Sequence, residues 1–434
     1  MKIIHYFPGF DRAGGLNRYA GDLALCQGRA GHDVYVLYPV YGLKAFEDIS
    51  IGRSRRKNGV WLNRLYGALP LPLLEGVRDL ELMMREKPVS GKLARFIAEE
   101  KFDVLHIHTF MGLSRNLLEL FRRSGCRIVF TTHDYYPFCS KVNLLDSAGK
   151  LCSDCSNENC SVCNASAPGE RYLALRNSWI IKFKKVLKPL AALKKRSLKV
   201  SGEFGGEVKN FAALRAYYSD MLKMCDAIHF NSEVARKVYG KFVPDLPGRV
   251  ISITHSGIVS NPRQICVGDK KIRLGFVGSS APHKGLSWLL DVADALYSDG
   301  FRNFSVEVFG CSSCGKHLCD VNYHGTFLSS EADKVYGAMD ILIVPSVWYE
   351  TFGFIVSEAV SRGVGVIASD MVGAKSLTEE RLVYSTRQEL VDILKRVLTS
   401  PQEVEEISRK ICESAPFESA DEHSRKIVDF YNSI

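Results

Sequence analysis

The chain reads as an α/β protein with two doubly wound, Rossmann-like domains facing a cleft, and three observations predict it. Its 434 residues exceed what one core ordinarily serves, since domains run to roughly 100–200 residues. An apolar strand, Lys2-Ile3-Ile4-His5-Tyr6-Phe7, is followed by Gly14-Gly15 and an amphipathic helix from Leu16 to Arg29, and the succession restarts at Ile272-Arg273-Leu274-Gly275-Phe276-Val277-Gly278. Between and beyond these, short apolar runs end in polar residues, as buried parallel strands do. The expected boundaries are 1–258, 259–415 and a closing segment over 416–434, with a linker in 259–270.

Composition narrows the function classes. Apolar residues make up 46% and charged residues 24%, which is ordinary for a globular enzyme. The net charge of +9 leaves nucleic acid, anionic lipid and phosphorylated small molecules open as partners. Met1 to Pro8 is too short an apolar run for a secretory core, and no run of 18 apolar residues occurs elsewhere. A cytoplasmic protein is therefore expected, in which the 13 cysteines do not form a disulfide framework.

In the first half, Ala30-Gly31 stops the first helix and Asp33 to Leu37 is the second strand. Arg53, Arg55, Arg56 and Lys57 form a basic cluster in a region without periodicity, read as a loop. Phe102 to His108 and Arg127 to Asp134 are buried strands ending in His108 and in His133-Asp134. His106 reads as a satisfied core residue, and His108 either lines an acceptor surface or is structural. Phe211 to Cys225 is helical, Asp226 to Ser232 a strand, and Glu233 to Tyr239 a helix capped by Ser232.

Two segments interrupt this half. Cys139 is followed by Cys152-x2-Cys155-x4-Cys160-x2-Cys163, an insertion over 139–163. Each C-x2-C pair can hold a metal through two thiolates, and four thiolates close a tetrahedral site. Structural zinc at Cys152, Cys155, Cys160 and Cys163 is expected, against free thiols or disulfides. From Arg171 to Ser201 there are ten Lys or Arg and no Asp or Glu. Tyr172, Leu175, Trp179, Phe183, Val186 and Leu187 share one face, so a basic helix over 171–199 is expected, docking either on an anionic membrane surface or on its own domain. No nucleic-acid motif accompanies the charge.

In the second half, Ser279 to Gly285 precedes a helix from Leu286 to Leu296, and Lys284 is placed to neutralise a diphosphate as a mobile point charge. Ser305 to Gly310 is a strand. The thiol-rich Cys311-x2-Cys314-x2-His317-x-Cys319 is crowded and reads as a reduced loop rather than a second metal site. Asp340 to Val344 is a buried strand, Phe354 to Arg362 a helix, and Gly363 its left-handed C′ residue. Glu350 lies before that helix and Glu358 within it. Amides over Thr351, Phe352, Gly353 and Phe354 suit an anion at a strand's carboxyl edge. Two carboxylates beside an anion site suit a ligand combining hydroxyl groups with phosphate, such as a nucleotide sugar. Taken alone, the two acids are ordinarily a loop acid and a solvated helix glutamate.

Pro345-Ser346, Glu350-Thr351-Phe352-Gly353, Glu358-Ala359 and Gly363 to Ser369 together resemble the donor-site signature of family 4 retaining glycosyltransferases with the GT-B fold. The resemblance implies an acceptor-side domain over 1–258, closed by a strand and turn over Ile251 to Ile258, a nucleotide-sugar domain over 259–415, and a last helix returning to the first domain. It implies that Lys284, with Gly278 and Ser279, holds the donor diphosphate, that Glu350 holds the sugar hydroxyls and Glu358 the ribose. His133 would reach the sugar's far edge, with Gly14 and Gly15 at the ligand. Ser279 departs from the arginine often found there, and Gly365 from the usual proline. The activity implied is retaining transfer from a UDP-, GDP- or ADP-sugar to a glycan or lipid-linked glycan in cell-surface polysaccharide or lipopolysaccharide synthesis, with no cofactor required for catalysis, peripheral on the inner face of the membrane. A same-fold epimerase or phosphorylase, or a non-catalytic nucleotide-sugar or glycan-binding protein, is the competing reading.

Overall fold

The computed structural model describes residues 1–10, 12, 14–41, 48–169, 171–173, 207–313, 315–414 and 417–434. Beyond Leu173, the basic helix expected over 171–199 lies outside the described residues, as does Cys314. The chain divides into two compact units. Unit 1 comprises Met1–Asn231, Arg236–Ile251 and Ala420–Ile434, and unit 2 comprises Ser232–Ala235 and Ser252–Ser419.

Unit 1 is built on β1 (Lys2–Tyr6), β2 (Asp33–Pro39), β3 (Ser50–Ile51), β4 (Arg55–Lys57), β5 (Val60–Tyr66), β6 (Val104–Ile107), β7 (Arg127–Thr131), β8 (Ala227–Phe230) and β9 (Gly248–Val250), in the order β3-β5-β2-β1-β6-β7-β8-β9 with β4 on β5. All pairs from β5 across to β9 are parallel. The winding reverses between β1 and β6, and open α/β sheets bind ligands outside the carboxyl ends of such strands. Register puts His5 beside His106 and Thr131 beside His229. Helix Gly15–Arg29 buries Tyr19, Ala20, Leu23, Ala24 and Gln27 at helical spacing. It starts at Gly14, whose φ of 115° excludes most side chains although a Cβ would meet nothing. Helix Ala420–Asn432 packs on it, burying His423, Ile427, Phe430 and Tyr431.

Two sequence expectations fail in this unit. Arg55–Lys57 is a strand antiparallel to β5, not a loop. Asn58 and Gly59 between them both have positive φ, 50° and 85°, as a two-residue hairpin turn requires. Residues 251–258 hold the expected turn, at Ser256 and Gly257, but no strand: Gly248–Val250 pair with β8, after which the chain passes into unit 2.

Unit 2 is a parallel sheet of β10 (Ile272–Val277), β11 (Phe304–Phe309), β12 (Val321–Gly325), β13 (Ile341–Val344), β14 (Gly365–Ser369) and β15 (Val383–Tyr384), ordered β12-β11-β10-β13-β14-β15. Its reversal lies between β10 and β13. Gly285 joins the two carboxyl ends: its φ is 76°, and a Cβ there would stand 1.8 Å from the Pro345 carbonyl oxygen. Helix Leu286–Ser298 follows directly. Helix Phe354–Val360 is shorter than expected, starting at Gly353 with φ 98°, and Gly363 at φ 84° takes the left-handed conformation that ends it. Among the described residues no helix is long and apolar enough to cross a membrane.

Candidate functional site

At the reversal point of unit 2, the loop after β10 and the loop after β13 bring a lysine and a glutamate together. Lys284 Nζ donates to Glu350 Oε1 at 2.6 Å, and Ser346 Oγ donates to Glu350 Oε2 at 2.6 Å. The Lys284 ammonium also lies 5.5 Å from the Trp348 ring, which stacks edge-on with His283. Glu350 is buried. Burial alone would push its carboxyl up, but the Lys284 charge and the hydrogen bonds from Lys284 and Ser346 outweigh it and hold the pKa below the usual glutamate value. Burial and the Lys284 charge lower the His283 pKa.

The backbone under Glu350 is pinned to the loop after β14. Glu350 N–H donates to the Met371 carbonyl at 3.0 Å, Gly373 N–H to the Glu350 carbonyl at 2.9 Å, and Ala374 N–H to the Phe352 carbonyl at 2.7 Å. A Cβ at Gly373 would stand 2.1 Å from the Thr351 carbonyl oxygen, so the close approach needs glycine. Thr351 and Phe352 are buried, Gly353 and Phe354 half-buried. At the end of β10, Gly278 N–H donates to the Phe309 carbonyl at 2.9 Å, and Ser279 is exposed.

Glu358 is separately tethered. Tyr336 OH donates to its Oε2 at 2.8 Å, and His255 Nε2 lies 3.2 Å from its Oε1. Because Gly257 N–H donates to His255 Nδ1, the imidazole carries its proton on Nε2 and donates it to Glu358. Ser346 stands in the Pro345-Ser346 part of the sequence signature, but its bond to Glu350 was not expected, and His255 and Tyr336 were not singled out because they carry no local signal.

In unit 1, His133 follows β7 and is half-buried, with Nε2 3.2 Å from His108 Nδ1 and its ring 5.1 Å from that of Tyr19. Burial, with His229 nearby, pushes His133 down to about 3, so it is neutral. Asp134 accepts from Tyr136 N–H at 2.9 Å, and burial lifts its carboxyl to about 6. Gly14 and Gly15 are exposed at the start of the first helix.

The cysteine insertion folds as a β-bridge between Leu145 and Leu151 and a short helix, Asn157–Cys163, capped by Ser156. Cys139, Cys152, Cys155, Cys160 and Cys163 line one cavity of about 30 Å³. Cys152 and Cys155 sulfurs are 3.8 Å apart, and Arg215 donates to Cys160 at 3.4 Å. Burial raises the thiols, Cys152 to about 11. Among the described residues, His5, His106 and His108 are the one group of three or more candidate ligands whose atoms lie within 4.8 Å of one another. The four thiols expected to bind zinc thus surround a common space: Cys152 and Cys155 stand at the sulfur spacing of a tetrahedral site, while no three of the four lie within 4.8 Å of one another.

Comparison with known proteins decides the family. Residues 13–150 match the profile of glycosyltransferase family 4, and residues 271–413 that of glycosyl transferases group 1. The chain belongs to the GT-B glycosyltransferases. No curated protein sequence matches it. Among solved structures, this glycosyltransferase is similar over its whole length to sucrose-phosphate synthase from Thermosynechococcus elongatus (14% identity, 99% of that chain, TM-score 0.56). It is likewise similar to HepE from Anabaena in complex with UDP and glucose (13%, 100%, 0.54) and to a glycosyltransferase from Rickettsia africae (14%, 98%, 0.56). At these identities the likeness is one of fold.

Proposed function

We propose that this glycosyltransferase is a retaining one, moving a hexosyl group from a nucleotide sugar to an acceptor hydroxyl. The observation that carries the reading is the Lys284–Glu350 pair at the reversal point of the unit 2 sheet. In front-face transfer the diphosphate departs while the acceptor enters from the same side, so charge stabilisation of the leaving group supplies much of the catalysis. Lys284 is held in place by Glu350 before any donor arrives, and a preorganised ammonium spends no reorganisation when charge develops. Glu350, ionised at neutral pH, accepts from sugar hydroxyls. Glu358 grips the ribose from its tethers, while Gly278, Ser279 and the backbone from Thr351 to Phe354 approach the phosphates. His133, with Gly14 and Gly15, belongs to the ligand surface of unit 1.

The HepE structure contains UDP and glucose, so UDP-glucose heads a donor panel followed by GDP- and ADP-sugars. Product analysis tests the reading: transfer must require an acceptor hydroxyl, whereas an epimerase needs none and a phosphorylase needs orthophosphate. Binding without turnover across the panel would leave a nucleotide-sugar-binding protein instead. A role in surface polysaccharide or lipopolysaccharide synthesis at the inner membrane face belongs to the same proposal. Its support is the basic stretch 171–199, and absence of binding to anionic vesicles at low salt would end it. Structural zinc at Cys152, Cys155, Cys160 and Cys163 is also proposed, supported by their shared cavity.

A further inference from the structure

One face of the unit 1 sheet carries an uninterrupted chain of hydrogen-bonding side chains whose members come from β1, β6, β7, β8 and the two helices packed there. It starts at a backbone carbonyl: His229 Nε2 lies 2.7 Å from the Ile251 oxygen. His229 Nδ1 is 2.9 Å from Thr131 Oγ1, which is 2.6 Å from His106 Nε2. His106 Nδ1 is 2.6 Å from Tyr431 OH, and Gln27 Nε2 is 3.3 Å from the same oxygen. Gln27 Oε1 is 2.7 Å from His5 Nε2, His5 Nδ1 is 3.1 Å from His108 Nε2, and His108 Nδ1 is 3.2 Å from His133 Nε2.

The direction of every bond follows from its first member. A carbonyl only accepts, so His229 holds its proton on Nε2. Burial keeps all five imidazoles neutral, so each has one donor and one acceptor nitrogen. His229 Nδ1 must then accept from the Thr131 hydroxyl, which in turn accepts from His106 Nε2–H. His106 Nδ1 accepts from Tyr431, whose oxygen accepts from the Gln27 amide. Gln27 is thereby oriented with Oε1 toward His5, so His5 donates from Nε2 and accepts at Nδ1 from His108, which accepts at its own Nδ1 from His133.

We propose that this chain is a tautomer relay that sets the hydrogen-bonding sense of His133, with Thr131, Tyr431 and Gln27 as positioning residues. His133 spends its proton on His108, so its Nδ1 can accept a hydrogen bond and cannot donate one. A sugar hydroxyl meeting it must donate, and a fluorine or methoxy group in that place cannot. The last statement rests on the proposed function; the tautomer itself does not. The three histidines near enough to share a metal, His5, His106 and His108, have all six ring nitrogens in this chain, and no carboxylate is among its members to offset a buried dication.

The test is the long-range proton–nitrogen correlation spectrum of the full chain labelled with ¹⁵N-histidine, which reports the protonated nitrogen of each ring. The relay requires Nε2–H at His5, His106, His108, His133 and His229 alike. An Nδ1–H at His133, or a metal bound stoichiometrically to His5, His106 and His108, overturns it. Thr131→Val cuts the chain beyond His229: Nδ1–H populations should appear at His106, His5, His108 and His133 while His229 stays unchanged. Gln27→Leu should do the same to His5, His108 and His133, and serves if Thr131→Val does not fold. Unchanged tautomers in a folded variant refute transmission.

Discussion

Replacing Lys284 with methionine keeps most of the side-chain volume and removes the ammonium that meets Glu350 Oε1 at 2.6 Å. Glu350 stays buried with the Ser346 hydroxyl on its other oxygen, and stranding one partner of a fully buried pair costs about 3–5 kcal/mol. Lys284 is a quarter exposed, so solvent screening discounts that figure to about 1–3 kcal/mol. Urea denaturation at pH 7 measures it, and Glu350→Gln in both backgrounds isolates the coupling. The sign with pH follows from the depressed Glu350 carboxyl. The unfolded chain binds its proton first, so the pair's contribution is present above the ordinary glutamate value of 4.5 and is lost as pH falls through the folded pKa. Lys284→Met should abolish that part of the acid-side loss and lower kcat by about 10²–10³-fold. A destabilisation below about 0.5 kcal/mol with no coupling to Glu350→Gln would refute the reasoning.

Gly285→Ala forces a Cβ against the Pro345 carbonyl at a φ that alanine avoids, and a melting curve should show a loss of at least about 2 kcal/mol; an unchanged curve would mean the two loops are not so closely joined. Glu358→Gln removes the charge that His255 and Tyr336 hold in place, and if it grips the donor rather than the reacting centre, KM for the donor should rise about tenfold with kcat less affected. Protein purified without added zinc should contain one zinc per chain and lose thermal stability on chelation; an empty protein with four freely titrating thiols at Cys152, Cys155, Cys160 and Cys163 would sink the metal proposal.

Much of the fold was legible because its elements are periodic. Helices Gly15–Arg29, Phe211–Lys223 and Leu286–Ser298 follow the 3.6-residue repeat, and Gly363 declared its left-handed role by its place after an apolar turn. The hairpin at Asn58-Gly59 was equally legible, since that dipeptide supplies two positive φ values, but the flanking arginines masked the short strand. Over residues 251–258 the turn is present and the strand is not, because Gly248–Val250 already fills the place beside β8. Lys284 and Glu350 were each readable as ligand groups. Their contact was not, because it is made by the sheet order that places β10 beside β13. The histidine chain is of the same kind: His5, His106 and His229 each look like a lone polar residue in an apolar strand. Only register, setting His5 beside His106 and Thr131 beside His229, turns them into one network.

The measurement that bears most directly on the central proposal is the anomeric configuration of the transferred sugar, read by proton NMR on the product made from UDP-glucose or whichever donor is turned over. An α-linked donor should give an α-linked product with the wild-type chain, and Lys284→Met should give the same product about 10²–10³-fold more slowly. A β-linked product, or transfer at the full rate without the Lys284 ammonium, would contradict the account.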